Sequence, residues 1–535
     1  MTSADRFCFG CQVDFGSNAN FWDYVIVGAG SAGCAIAAHL SSRNRGKCLL
    51  VEAGGGHQSA LVTVPAYYPH TFKTDLDWNY TTAPQKHLVN RQLHWPRGKG
   101  LGGSSLINAM IYLPGPKEDW LHLAQVWKID SDSLRNKLPH LLKVESSLID
   151  KAWPIQAAPE VHALSQAFLE AANKFTGKPI CNFLQSDVYE SGVFPRSQFV
   201  GRRVSAFHSL TALAKLNGWL SVKSRSNVSK IILQGKRAIG IETISLDGTV
   251  ETIIARKGIV VCAGTIESPS LLMRSGIGPE KILREIGVRC HHVLEGVGEN
   301  LQDHLLLPVI FSSRTSSLAS RFSIRDQQLH RWRGLGPMTS SIAEAGFFIG
   351  GDDKRPPHTQ IHFTPTHYLG YPLRDSPTDA FTLGVTLLHP LSRGRVTVQS
   401  ADYRDKPVID PDYLSFREDM QKLKDGLGIA REIAQCQPLR DLCEEELLPG
   451  KRRTSDSQIQ RSIQSWVQTI YHPVGTCRIG EDSAAVVDHQ FRVRGLEGLF
   501  VADASVLDRI PSCNPSAQIM ALAALAAERI EDCLS

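Results

Sequence analysis

Three glycines and one acid mark the first place where this chain could do chemistry. Gly28, Gly30 and Gly33 lie in "VIVGAGSAGCAIAAHL", residues 25–40, where an apolar run meets an alanine-rich one. A G-x-G-x-x-G spacing between a strand and a helix suits a dinucleotide pyrophosphate. The first glycine permits a tight turn, the second lets backbone amides approach the phosphates, and the third lets the helix close on the strand. Ser31 and Ala32 open that helix, whose N-terminus faces the negative charge. The acid is Glu52, at the end of "CLLVE" and about 20 residues beyond the last glycine, where a carboxylate can meet a ribose. A second polar stretch, "GKGLGGSSLINAMIYLPG" at residues 98–115, carries Gly102, Gly103, Ser104 and Asn108. It offers amides and hydroxyls able to line a polar cofactor.

Such residues need a scaffold of buried strands. The runs "GIVVCAG" (258–264) and "LFVADAS" (499–505) have the continuous apolar character of parallel strands covered on both faces. Both end in small residues, as strands do where their carboxyl edge meets a cofactor. The stretch from about 302 to 460 differs: "DAFTLGVTLLHP", "GRVTVQSADYRDKPVIDPDYL" and many prolines predict an antiparallel sheet facing a pocket. The expected fold is α/β, with a Rossmann-like dinucleotide domain built on a parallel sheet and a substrate domain built on a mostly antiparallel one. The first takes residues 22–150, 195–300 and 465–535, the second 151–194 and 301–464, and residues 1–21 form an N-terminal extension. The last helix, "NPSAQIMALAALAAERI" (514–530), is rich enough in alanine to pack closely, and its N-terminus is a second positive dipole end.

At 535 residues the chain exceeds one compact core. Its 42% hydrophobic and 21% charged residues read as a globular protein, and a net charge of +5 with no basic block argues against a nucleic-acid partner. The twelve cysteines form no regular framework. Cys8 and Cys11 make one C-x-x-C with no second pair at zinc-site spacing, so free thiols in a reducing compartment and no metal site are expected. The first twenty residues show neither a basic nor an apolar signal region, and no run of 18 apolar residues occurs; a soluble, cytoplasmic protein without a transmembrane segment is the expectation.

Further stretches fall in a telling order: "GTIESPSLLMRSGIG" (264–278), "GVGENLQDH" (296–304), "YHPVGTCRIG" (471–480) and "LFVADASVLDRIPSCNPSAQIMALAALAAERI" (499–530). With the glycine fingerprint and the 98–115 loop, they closely resemble the glucose-methanol-choline family of flavin oxidoreductases, particularly its choline dehydrogenases and alcohol oxidases. The resemblance spans residues 22–530.

It implies FAD, with its pyrophosphate at Gly28 to Gly33 and its adenosine ribose on Glu52. Arg97 and the loop from Gly102 to Asn108, continuing into Ala109 and Met110, would lie along the flavin. Val228 would be near the adenine, with Ala263 and Gly264 among the contacts. Asp503 and Ala504 would meet the ribityl and phosphate end, and Asn514 and Pro515 the isoalloxazine ring. A carboxylate at a buried strand end needs donors, which ribityl hydroxyls would supply to Asp503. The catalytic pair implied is His472, in the H-P-x-G-T motif, and Asn514. Imidazole titrates near neutrality and can take the hydroxyl proton as hydride leaves an alcohol carbon for flavin N5, while the amide bonds the same oxygen without changing charge.

The resemblance further implies a small-molecule alcohol substrate, oxygen or another electron acceptor, and a monomer or homodimer. Where the branch with covalently attached flavin has a histidine, this chain has Ile107, so FAD is expected to be held non-covalently. Glu344 aligns with a pocket carboxylate that such enzymes can use for a trimethylammonium group, and with Tyr471 it is the expected substrate contact; the alternative reading of Glu344 is a paired or hydrogen-bonded structural acid. Phe347, Phe348 and Trp466 could instead line a pocket for aromatic or furanic alcohols. Two other reactions occur on the same scaffold: a non-redox hydroxynitrile lyase and a light-driven fatty-acid decarboxylase.

Overall fold

Strand β1 (Asn20–Val27) forms because Tyr24 to Val27 are apolar and fully shielded, and it occupies the middle of a seven-stranded sheet. In the computed structural model the described residues are 20–42, 46–56, 59–135, 155–156, 161–211, 218–318, 322–352, 354–369 and 378–534. Cys8 and Cys11 lie outside them, as does most of the expected N-terminal extension. From β1 the chain turns into α1 (Ser31–Ser42) and returns as β2 (Cys48–Val51), parallel to β1 with Val27 opposite Val51. Beyond β2 lies β3 (Leu220–Lys223), also parallel. On the other side β6 (Val250–Val261) runs parallel to β1 and carries the antiparallel pair β4 (Ser226–Gln234) and β5 (Arg237–Ser245). The short β7 (Leu499–Val501) pairs in parallel with its end. The carboxyl ends of β1, β2, β6 and β7 thus converge on one edge, where a doubly wound sheet binds its ligand.

Two helices fix that edge. The second, α2 (Gly264–Arg274), starts where β6 ends. The C-terminal α3 (Ser516–Leu534) lies against α1, and the alanines on its inner side are all buried, which allows the close packing its composition suggested.

The second sheet also has seven strands. Its order is Cys443–Leu448, Leu305–Ser313, Ala380–Leu387, Thr359–Thr364, Ala345–Ile349 and Ser191–Val193, with Gln468–Thr469 pairing beside Leu305, and every pairing is antiparallel. The antiparallel sheet therefore continues past the boundary expected at 465. Its central strands are buried on both faces. One face, with Val309, Phe311, Ile361, Phe363, Leu383 and Val385, packs under the helices Ala163–Thr176 and Arg417–Ala434. The alternate residues Leu306, His362, Thr364, Thr382 and Gly384 look into a cavity. Period-two alternation thus separates a structural face from one available for a substrate. No described helix is long and apolar enough to cross a membrane, and among the described residues no cluster of His, Cys, Asp and Glu could hold a metal ion.

Candidate active site

The glycine fingerprint is a piece of interlocked backbone. Gly28 has φ +100°, and a Cβ on Gly33 would lie 1.9 Å from the Gly28 carbonyl oxygen, so helix and turn close only without a side chain there. Gly103 lies over Gly30, where a Cβ would come within 2.6 Å of the Gly30 Cα, and the Gly102 amide donates to the Ala29 carbonyl at 2.8 Å. Glu52 ties the same parts together: its Oε2 accepts from the Ala29 amide at 2.9 Å, its Oε1 from the amides of Gly54 and Gly100 at 2.9 and 3.1 Å. Burial pushes the Glu52 carboxyl up, against the three amides that stabilise its charge.

These segments wall an elongated cavity along the carboxyl edge of the first sheet. Gly28, Gly30, Ser31, Ala32 and Glu52 line one end with Val228, and Arg97, Gly103, Ser104, Ala263, Gly264, Asp503, Ala504 and Pro515 line the rest. Gly33 and Gly102 do not reach it; they shape the backbone that does. The cavity suits a dinucleotide. Nothing lies within 4 Å of where a Cβ on Gly30 would stand, and the buried Ser226 hydroxyl, beside Val228 on the lining, has no protein partner. Asp503 differs from expectation in its donors. Oδ2 accepts from the Gly264 amide at 2.8 Å and the Ser268 hydroxyl at 2.6 Å, and Oδ1 from the Ser505 amide at 2.8 Å, so the protein already satisfies it and β7 is pinned to the start of α2. Sequence reasoning missed Trp78, Tyr80, Glu267, Arg274 and Tyr403 on this lining; the Tyr80 hydroxyl and Arg274 both donate to Glu267, at 2.5 Å each.

A second cavity opens from the first, sharing Ser31, Arg97, Ser104, Tyr471, His472, Pro515 and Ile519. His472 and Asn514 stand at this junction, with Asn514 Nδ2 3.2 Å from His472 Nε2, and the Asn514 side chain also meets His362, whose proton affinity it raises. The loop bearing His472 is held by the motif at 296–304. Gln302 and Val474 exchange backbone bonds, and Asp303 accepts from the His472 amide at 2.8 Å, the Thr469 hydroxyl at 2.6 Å and the Tyr413 hydroxyl. The next residue, His304, is fully buried with its Nδ1 3.0 Å from His472 Nδ1. Burial drives His472 well below the ordinary histidine range, helped by His304, His362 and Arg97 nearby. It likewise lowers His304 to about 3 and His362 to about 4. Three neutral imidazoles therefore surround the junction. Arg97 spans it, donating to the Tyr471 carbonyl at 2.5 Å; burial lowers its proton affinity while Asp303 and Asp77 raise it.

The wall of the second cavity is largely apolar and aromatic: Tyr68, Phe72, Ile107, Ile111, Leu306, Ile470 and Tyr471, with Tyr368 hydrogen-bonded to the hydroxyls of Tyr68 and Tyr471. Asn108, Ala109 and Met110 face this cavity rather than the elongated one. Asn108 Oδ1 accepts from Arg203 at 2.8 Å, which fixes the loop. Glu344 corrects the expectation of a substrate contact and matches its alternative, a hydrogen-bonded structural acid, for it is absent from the cavity lining. Its carboxylate accepts from the His162 amide at 2.8 Å and from the Ser165 and Ser340 hydroxyls at 2.7 Å each, and faces Arg196 at 3.8 Å. Phe347 and Phe348 are buried in the protein core on either side of their strand, and Trp466 is 40% exposed on a surface helix; none of the three lines the cavity.

Comparison with known proteins agrees with this architecture. The sequence matches the two models of the GMC oxidoreductase family, over residues 22–306 and 390–523. It is 34% identical over 531 residues to an alcohol dehydrogenase [acceptor] of Pseudomonas putida, covering 95% of each chain. To an oxygen-dependent choline dehydrogenase of Pectobacterium carotovorum it is 33% identical over 537 residues, covering 95% of this chain and 94% of the relative. The crystal structure of pyridoxine 4-oxidase from Mesorbium loti superposes with a TM-score of 0.85 at 30% identity, covering 96% of this chain and 99% of that one. The chain belongs to the GMC oxidoreductase family. FAD is the cofactor of that family, and the elongated cavity is shaped to take it.

Proposed function

We propose that this protein oxidises a neutral alcohol with an apolar or aromatic body to the aldehyde or ketone, using His472 as base. The observation that carries the reading is the His472–Asn514 pair at the mouth between a dinucleotide cavity and an apolar one. FAD, which the dinucleotide cavity would hold without a covalent bond, would supply the hydride acceptor. A substrate hydroxyl entering between the pair replaces their mutual bond, giving its proton to His472 Nε2 and accepting from Asn514 Nδ2. Depressed basicity keeps His472 unprotonated at neutral pH, and the apolar wall keeps water from competing for it.

The lining of the second cavity favours a neutral substrate. No carboxylate is among the described residues that form it, whereas the Arg97 guanidinium is, which opposes a cation. Aromatic rings at Tyr68, Phe72, Tyr368 and Tyr471 suit an aromatic alcohol, and a relative named for pyridoxine supports that choice. The relative named for choline supports a cationic one, but the carboxylate expected to meet it is enclosed elsewhere. All three relatives are named as redox enzymes, which favours oxidation over the lyase and decarboxylase reactions.

The test is anaerobic mixing of the FAD-loaded protein with benzyl alcohol, a furanic alcohol, a long-chain alcohol and choline, following the flavin absorbance band. Bleaching by a neutral alcohol is expected, slowed about 10²- to 10⁴-fold by His472→Ala with FAD retained. Bleaching by choline alone would overturn the neutral-substrate reading, and no bleaching by any alcohol would overturn alcohol oxidation. Recovery after admitting air then separates oxygen from another acceptor.

A further inference from the structure

The two histidines at the junction share one hydrogen, and its owner follows from what lies behind them. His304 Nε2 is 3.0 Å from the Leu388 carbonyl oxygen and 3.1 Å from that of Pro511. Carbonyls only accept, so Nε2 of His304 carries a hydrogen. His304 has 0% exposure and no carboxylate partner, and its lowered proton affinity leaves it neutral, with a single ring hydrogen. Its Nδ1 is therefore a lone pair, and the hydrogen in the 3.0 Å contact between the two Nδ1 atoms belongs to His472. A neutral His472 with hydrogen on Nδ1 has its lone pair on Nε2, the atom that meets Asn514.

We propose that His304 is a positioning residue that selects the base-competent tautomer of His472. The selection matters because the wrong tautomer has a local partner. With hydrogen on Nε2, His472 could donate to Asn514 Oδ1 once the amide turned over and exchanged its contact with the His362 side chain. Such a pair leaves no lone pair for a hydroxyl proton. Asn514 thus accommodates either tautomer, and the acceptor at His304 Nδ1, oriented by two carbonyls from distant parts of the chain, decides between them. The device rests on the reading of His472 as base.

Two substitutions separate tautomer control from simple bracing. The amide of an asparagine falls near the place of a histidine Nδ1, that of a glutamine near Nε2. His304→Asn keeps an oxygen for His472 Nδ1 and gives up the carbonyl bonds; His304→Gln keeps a donor for Leu388 and Pro511 and gives up the acceptor. Measured as kcat/KM on FAD-loaded protein, His304→Asn is expected to stay within about fivefold of the parent and His304→Gln to fall about 10- to 100-fold. The reverse order, or equal losses, would overturn the proposal and leave His304 as a clasp between two loops. Should either variant fail to fold, ¹⁵N NMR of the parent holoenzyme labelled at histidine decides directly: hydrogen on His472 Nδ1 supports the proposal, and hydrogen on Nε2 overturns it. His472→Ala measured alongside tests the underlying reading. Undiminished flavin reduction in that variant would remove the base itself, whereas an inverted Asn and Gln order would leave the base standing.

Discussion

Replacing Glu344 by glutamine should damage the fold and leave substrate choice alone. The carboxylate and the Arg196 guanidinium are 2% and 1% exposed and 3.8 Å apart. Arg196 Nη1 donates to the Thr339 carbonyl at 3.2 Å, while its Nε and Nη2 have no hydrogen-bond partner, so Glu344 is the charge that compensates it. Burial lowers the proton affinity of Arg196 and Glu344 raises it again. Glu344→Gln removes that charge and turns one acceptor oxygen into a donor facing either Ser340 or the His162 and Ser165 pair. Breaking one side of a buried pair costs about 3–5 kcal/mol, because the remaining ion is uncompensated. Urea unfolding followed by flavin release should show a loss of that size. The ratio of kcat/KM for benzyl alcohol over choline should stay within about threefold, since differences below ~1 kcal/mol reflect only relayed packing. The double variant Arg196→Met, Glu344→Gln should recover more than half of the lost stability, because removing both ions removes the unpaired charge. Unchanged stability together with a tenfold or larger shift in that ratio, about 1.4 kcal/mol, would place Glu344 against the substrate and refute the reasoning.

Three other outcomes follow from the same geometry. His472 must be unprotonated to act and its proton affinity is depressed by burial, so the acid limb of kcat/KM should fall below pH ~6.5 with a plateau through neutrality; an inflection at or above that value would contradict the assignment. Gly33→Ala would drive a Cβ to 1.9 Å from the Gly28 oxygen and should abolish folding around the cofactor, whereas Gly30→Ala meets no protein atom within 4 Å and should fold normally but bind FAD poorly. Circular dichroism and flavin content compare the two, and equal behaviour would sink the distinction. Acid precipitation should release all the FAD into the supernatant, because the loop position of the covalent branch holds Ile107, 3% exposed on the cavity wall; yellow colour retained in the pellet would show a covalent link.

The nucleotide half of the molecule was legible because its signals are local. Gly28 to Gly33, the strand ending at Glu52 and the alanine-rich last helix each show their role within a short window, and the two-sheet division appeared as a change from continuous to punctuated apolar runs. What stayed hidden depends on facing. Glu344 immediately precedes the strand Ala345–Ile349, where a one-residue difference decides between cavity and core. Phe347 and Phe348 point to opposite faces of a strand covered on both, so neither reaches the cavity. His362 could have been found as the histidine between Gln360 and Thr364 in "TQIHFT", three polar alternate positions that share one face. His304 stood in plain view at the end of "GVGENLQDH", but its partner is 168 residues away and only folding joins them.

That difference has a physical root in what each cavity is made of. The cofactor cradle is backbone against backbone: positions 54 and 100, 98 and 103, and 103 and 30 approach so closely that a Cβ at Gly54, Gly98 or Gly103 would fall 2.1 to 2.6 Å from its neighbour. Only glycine satisfies such contacts, so the residue type itself records the geometry. The wall of the second cavity is made of side chains standing on alternate positions of an antiparallel sheet and on the loops beside it, at Tyr68, Ile107, Leu306, His362 and Tyr368. A side chain there can change without disturbing the strand that carries it, because the strand is held by its ladder and by the opposite, helix-covered face. A backbone cradle of this kind can therefore stay fixed across a family whose members are named for quite different alcohols, while a few exchangeable residues change the second cavity. On the proposed reading, His472 and Asn514, at the seam between the two kinds of wall, are the point where a fixed cofactor meets a variable substrate.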